Sequence, residues 1–456
     1  MHTFTDASAA TARSLAELCL ERLAMQAPLD RALTPEELIE LAGLTVTENG
    51  IGAAEALRLW EHVLAPACLS VDHPRYLSFI PGAPSKAAAA FDMLVGASSV
   101  YGGSWLEGSG AVYAENQALR WIAELAGLPE QAGGAFVQGG TIGNLSALVA
   151  AREAARETIR RNRTEPPARW AVVITDETHS SVKHALQVVM DVEVISVPGD
   201  ERGRLTGPAI RAALAGLSEA TQAGIFAVVA TAGSTNSGVI DDIAGIAEVA
   251  QENGWWLHVD GAYGAAGLAA PSVRALFAGI EHADSLIVDP HKWLFAPYDC
   301  CALLYRDPVL ARAAHTQKAG YLDPVTVGGE WNPSDFAIHL TRRARGLPFW
   351  FSLAVHGTTA YTEAVEQTLA TARAGRELIE SAEHLRLLVE PDLSVLIFER
   401  IGWDEAGYAD WSARALDQGF AFVTPTKHAG RTCTRFAIVN PMTTADDLAQ
   451  IIASMR

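Results

Sequence analysis

Short, unbroken apolar runs recur along the middle of the chain, with helical periodicity between them. Leu286-Ile287-Val288 is one such run, and Pro290 stops it because proline cannot donate to a sheet ladder. Trp255-Trp256-Leu257-His258-Val259-Asp260 is another, ending in one polar residue before a small-residue turn. Trp170–Asp176 and Gly224–Thr231 have the same character, and Val192–Val197 reads as a further strand. Runs without polar alternation predict strands buried on both faces. Strands alternating with helices such as Ile243–Asn253 predict an α/β fold, a mostly parallel sheet covered on both sides.

The flanks read differently. Leu15, Leu18, Cys19 and Leu23 sit at helical spacing after a start containing Ser8. Thr34-Pro35-Glu36-Glu37 combines a hydroxyl N-cap, a first-turn proline and a glutamate three positions on, and Gly43 closes the helix it opens. A third helix is predicted from Ala53 to Leu64. From Leu347 the pattern changes to long helices. A strand pair (Leu385–Val389, Leu393–Phe398), a helix at Ala406–Asp417, strands at Phe420–Val423 and Cys433–Val439, and a last helix after Thr443 follow. Three units result: a helical segment at 1–72, a large domain at 73–345 and a small α/β domain at 346–456.

Composition narrows the partners. Of 456 residues, 53 are acidic and 34 basic, a formal charge of −19 that repels nucleic acid and anionic lipid. No run reaches the roughly 20 apolar residues of a membrane span. The start at Met1-His2-Thr3 lacks the features of a secretion signal, so a cytoplasmic location is expected. Cys19, Cys68, Cys300, Cys301 and Cys433 are scattered, with no C-x-x-C spacing, and read as small core hydrophobes and not as a metal site or disulfide framework.

The candidate chemistry stands at the strand ends. Lys292 follows the Leu286–Val288 run at the edge where open α/β sheets place ligands. A lysine held there, partly out of water, has its ammonium form disfavoured and becomes a Schiff-base nucleophile. Asp260 ends the other run. Pyridoxal 5'-phosphate needs a lysine for its aldehyde and a carboxylate to keep its ring nitrogen protonated, and Lys292 and Asp260 supply the two. Gln138-Gly139-Gly140-Thr141-Ile142-Gly143-Asn144 is a glycine turn opening a helix from about Ile142 to Arg156, suited to a phosphate through free N–H groups, with Gly140 and Thr141 the best placed. It is neither a Walker loop nor a dinucleotide fingerprint.

His258-Val259-Asp260-Gly261-Ala262-Tyr263 and Pro290-His291-Lys292-Trp293, in this order and separation, resemble the group II pyridoxal-phosphate-dependent amino-acid decarboxylases. The resemblance runs from about His73 to the end, and implies a fold type I architecture and a homodimer with its active site at the subunit interface. It implies that His179, in His179-Ser180-Ser181-Val182, stacks on the cofactor ring, although a lone histidine is often structural. It places Thr235, Ala262, Asp289 and His291 around the cofactor. Asp289 replaces an asparagine common before the P-H-K motif, and a carboxylate there should point away from the phosphate. Phe79, Ile80, Pro81, Tyr101 and Trp105 resemble the walls of the substrate entrance, with core aromatics as the alternative. Gly82 and Gly103 depart from the aromatic-specific pattern and suggest a roomier or differently lined pocket. Tyr321, in Ala319-Gly320-Tyr321-Leu322, resembles a lid tyrosine that enters the partner subunit's site and reprotonates the substrate carbon. Arg435 resembles a carboxylate-binding arginine, with a structural ion pair as the alternative. The implied reaction is decarboxylation of an L-amino acid, aromatic or large and apolar. An aldehyde synthase of the same fold, a decarboxylase of an acidic amino acid and a binding homologue without turnover are the alternatives.

Overall fold

The computed structural model describes residues 2–317 and 330–456. The apolar runs become seven strands, β1 (Gly133–Val137), β2 (Ala171–Thr175), β3 (Glu193–Val197), β4 (Ile225–Thr231), β5 (Trp256–Asp260), β6 (Ser285–Val288) and β7 (Cys301–Tyr305). They form one sheet in the order β1-β7-β6-β5-β4-β2-β3. The ladder from β3 to β6 is parallel, and only β7 runs against its neighbours. Every residue of β2, β4, β5, β6 and β7 is buried, which explains their lack of alternation.

The neighbouring strands β4, β5 and β6 bring Thr231, Asp260 and the Asp289–Lys292 turn to one sheet edge. The helix Gly140–Asn162 lies across β4, β5, β6 and β7, starting at that edge. Gly143 makes the close approach possible. A Cβ there would meet Ile287 Cγ2 at 2.8 Å and Cys301 Sγ at 3.1 Å.

A second, antiparallel sheet, β10-β11-β9-β8, is built from β8 (Leu385–Leu387), β9 (Val395–Arg400), β10 (Pro425–His428) and β11 (Arg431–Ala437). The strand expected at Phe420–Val423 is displaced to Pro425–His428. Phe422 instead exchanges backbone hydrogen bonds with Arg75 and Leu77, joining two segments far apart in the chain. The helix Leu347–Ser381 packs against β8 and β9 and kinks at Gly357, whose φ of 74° suits glycine.

The amino-terminal helices match their caps. Pro35–Ala42 has the full capping box of Thr34 and Glu37 and ends at Gly43 with φ 62°. The first helix, Asp6–Ala24, starts from Thr5. The third passes from α-helix at Ala53–Leu59 into a wider π turn at Trp60–Leu64. Neither of the first two helices buries a residue within the chain, and Leu20, Ile39 and Leu41 are exposed. Of the cysteines, Cys300, Cys301 and Cys433 are buried, whereas Cys68 is exposed and is no core residue. Among the described residues no helix is long and apolar enough to cross a membrane.

Candidate active site

A cavity of about 290 Å³ opens at the carboxyl ends of β4, β5 and β6. Its walls bring together Gly140, Thr141, His179, Thr235, Asp260, Ala262, Asp289, His291 and Lys292, residues drawn from five separate stretches of sequence.

Lys292 lies in the short helical turn Pro290–Trp293 that Pro290 opens. Its Nζ is 2.9 Å from Asp289 Oδ2. Burial acts to lower its pKa, but the Asp289 and Asp260 carboxylates outweigh burial and hold it above the ordinary lysine value. The expectation of a disfavoured ammonium therefore fails for the protein alone, because a buried carboxylate stands beside the amine. Asp289 is itself held below the usual carboxylate range: burial raises it, and Lys292 and His291 more than offset this. Nor does Asp289 point away from the glycine turn, since a Cβ on Gly140 would lie 3.3 Å from its Oδ2. The carboxylate is turned to the amine. His291 lies against the Cys300 backbone, its Nδ1 2.7 Å from the carbonyl oxygen, and burial lowers its pKa.

Asp260 ends β5 and is 5 % exposed. Its Oδ1 accepts from the Ala262 N–H at 3.1 Å and its Oδ2 from the Asn144 amide at 2.9 Å, so both oxygens are held as acceptors. The helix Gly140–Asn162 starts from Gly139 with no side-chain cap and no acidic residue in its first turn. Its first N–H groups and dipole thus favour an anion. His179 caps the helix Ser180–His184 through its Nδ1, and stays exposed at the rim.

These residues fit pyridoxal phosphate on the geometry of the cavity itself. A carboxylate, an amine and an uncapped helix start border one space. Two wall atoms, Gln138 Oε1 and Thr231 Oγ1, are buried with no hydrogen-bond partner among the described residues.

The predicted substrate residues do not line this cavity within one chain. Ile80 is in the main core, Phe79 is 58 % exposed and faces Phe422, and Tyr101 donates to the Leu340 carbonyl at 3.0 Å. Pro81 is buried, and Trp105 opens the helix Trp105–Leu125. Arg435 is 7 % exposed on β11, with no carboxylate in ion-pair range among the described residues. Burial lowers its pKa to about 10. Tyr263, a wall residue, is its electrostatic neighbour. Tyr321 lies outside the described residues.

Gly82 and Gly103 do not make room. A Cβ on Gly82 would lie 2.6 Å from the His291 carbonyl and 3.3 Å from the Tyr298 phenol, and one on Gly103 would collide with the Tyr101 ring. Neighbouring rings have already taken the space. Tyr298 is a wall residue that the sequence reading missed, together with Gln138, Asn144, Ser181, Thr231, Tyr263 and Asp299. Thr231, as the last residue of β4, carried the same strand-end signal as Asp260.

Fold and site together define a parallel-sheet enzyme with a lysine and a carboxylate at adjacent strand tips. Residues 35–401 match the pyridoxal-dependent decarboxylase conserved domain, and the chain belongs to that family. It is 30 % identical over 425 residues to an aromatic-L-amino-acid decarboxylase of Bacillus atrophaeus, covering 90 % of this chain and 86 % of the relative. It is 31 % identical over 417 residues to an L-2,4-diaminobutyrate decarboxylase of Rhizobium meliloti, covering 89 % and 82 %. A solved Oryza sativa TDC with PLP and tryptamine shares the fold at a TM-score of 0.89 and 23 % identity, covering 100 % of this chain and 99 % of that one. The activity is pyridoxal-phosphate-dependent decarboxylation of an amino acid.

Proposed function

We propose that the substrate is an aromatic or large apolar L-amino acid. The observation that carries this reading is the make-up of the cavity wall. Tyr298 packs beside His291 with ring centroids 4.9 Å apart, while among the described wall residues there is no arginine, Asp289 is paired with Lys292 and Asp299 with Arg345, and Asp260 is held by Ala262 and Asn144. An acidic side chain would find no free cation among the described wall residues. Arg435 is buried off this wall, with Tyr263 as its electrostatic neighbour.

When bound, pyridoxal phosphate supplies the aldehyde and the electron-accepting ring that takes charge from the α-carbon as carbon dioxide leaves. In this reading Lys292 holds the aldehyde, and Asp260 keeps the ring nitrogen's proton through a carboxylate fixed by Ala262 and Asn144. Gly140 and Thr141 hold the phosphate at the helix start, with Thr235 and Ala262 on the cavity wall around the ring. His179 covers the ring from the rim. Tyr321 returns a proton to the substrate carbon, a task suited to a phenol kept from bulk water.

We also read the chain as a cytoplasmic homodimer of three units, 1–72, 73–345 and 346–456. The exposed apolar faces of the first two helices support a partner subunit covering them, and Phe79, Tyr101 and Trp105 would then border a shared entrance. A single species of monomer mass in sedimentation would remove the dimer. The substrate reading is tested by carbon dioxide release from the common L-amino acids. Phenylalanine, tyrosine or tryptophan should lead, and a preference for glutamate, aspartate or 2,4-diaminobutyrate would overturn it.

A further inference from the structure

Behind Asp260 lies a set of buried polar side chains that the reaction does not touch. Asn144 Nδ2 is 2.9 Å from Asp260 Oδ2, and Asn144 Oδ1 is 2.7 Å from His258 Nε2. His258 Nδ1 is 2.8 Å from Ser285 Oγ, which is 2.7 Å from Trp256 Nε1. Asn144, His258 and Ser285 are each no more than 1 % exposed.

The carboxylate end fixes the protons in this series. An ionised Asp260 can only accept, so the Asn144 amide turns its NH₂ to it and leaves Oδ1 to accept from His258 Nε2–H. The reversed amide would set oxygen against carboxylate. The imidazole, kept neutral by burial, then has Nδ1 free to accept the Ser285 hydroxyl proton, while Ser285 Oγ accepts from the Trp256 indole N–H, which can only donate. All four bonds therefore point the same way, from Trp256 through Ser285, His258 and Asn144 to Asp260. Aligned bonds of this kind polarise one another.

The placement of Asn144 adds a second constraint. It stands four residues after Gly140, one turn along the same helix face. A single rigid helix thus sets both the anion-binding start and the orientation of the Asp260 carboxylate.

We propose that Asn144 is a positioning residue for Asp260, and that the one-directional chain through His258, Ser285 and Trp256 sets how strongly that carboxylate grips the cofactor's ring nitrogen. This rests on the assignment of Asp260 to the ring nitrogen, but the state of the chain can be read in the cofactor-free protein. ¹⁵N NMR of the imidazoles should show His258 as the neutral Nε2–H tautomer in that protein. A Nδ1–H tautomer or an imidazolium at neutral pH would overturn the chain. Pyridoxal phosphate binding, followed by fluorescence quenching, should weaken at least tenfold in Asn144→Ala. The absorbance of the bound chromophore, and its pH dependence, should shift as well. Ser285→Ala, two bonds further away, should move both in the same direction by less, and it serves if Asn144→Ala does not fold. Ser146→Ala, buried on the same helix and outside the chain, should leave both readouts at wild-type values. Wild-type affinity and spectrum in folded Asn144→Ala and Ser285→Ala would overturn the proposal. Failure of the wild-type protein to bind the cofactor would instead sink the assignment of Asp260, while the tautomer result still stands on its own.

Discussion

At Lys292 two influences oppose each other. Removal from water favours the free amine, and the Asp289 carboxylate at 2.9 Å favours the ammonium and prevails. Only the free amine can attack an aldehyde. Asp289→Asn removes the nearer negative charge, so the amine's pKa should fall and aldehyde capture should begin at lower pH. Stopped-flow absorbance after adding pyridoxal phosphate to the cofactor-free protein should show the midpoint of the rate–pH curve moving to lower pH than in the wild type. An unchanged midpoint would mean that Asp289 does not control the amine. Lys292 and Asp260 were legible in the sequence because each ends an apolar run, a purely local signal. Asn144 was not, because its significance comes from Asp260, 116 positions away. Gly82 and Gly103 signalled a changed lining but not which one, for the same reason: a glycine shows that a side chain is missing, not which neighbour has filled the gap.

The helix Gly140–Asn162 shows what element-level packing demands. Alanine has the better helix propensity, by about 1 kcal/mol over glycine. At Gly143 that gain is opposed by contact with Ile287 and Cys301 on β6 and β7, both buried. Gly143→Ala should therefore lower stability, by about 1–3 kcal/mol, because a packed sheet face cannot yield cheaply. Urea denaturation would check this, and an increase in midpoint would show that the helix can lift without loss. Most strands and helices were readable from periodicity and caps. β1 was hidden behind the glycine turn that follows it. The strand near Phe420 was placed too early because its aromatic run pairs with Arg75–Leu77, a partner from the other end of the chain.

Across the whole molecule, several titratable groups lie in the core, and acid should find them. His258 and His339 are buried, and burial lowers the pKa of each to about 4. The unfolded chain takes up these protons near 6.5 and the folded protein does not, so stability is full above about pH 6.5 and falls towards pH 4. For His339 alone the loss is on the order of 3 kcal/mol. Asp241 works the other way, since burial raises its pKa to about 7 and protonation relieves it as pH falls. Comparing wild type with His339→Gln isolates one contribution: the wild type should lose more denaturation midpoint between pH 6.5 and 4 than the variant. Equal slopes would contradict a buried neutral imidazole.

The central claim is that one lysine, at the tip of β6 and facing the carboxylate at the tip of β5, carries the cofactor. Borohydride reduction of the protein loaded with pyridoxal phosphate, followed by peptide mass spectrometry, tests it directly. The phosphopyridoxyl mass should appear on the peptide containing Lys292 and should vanish in Lys292→Ala. A label on another lysine, such as Lys86 or Lys183, or no label at all, would contradict the account.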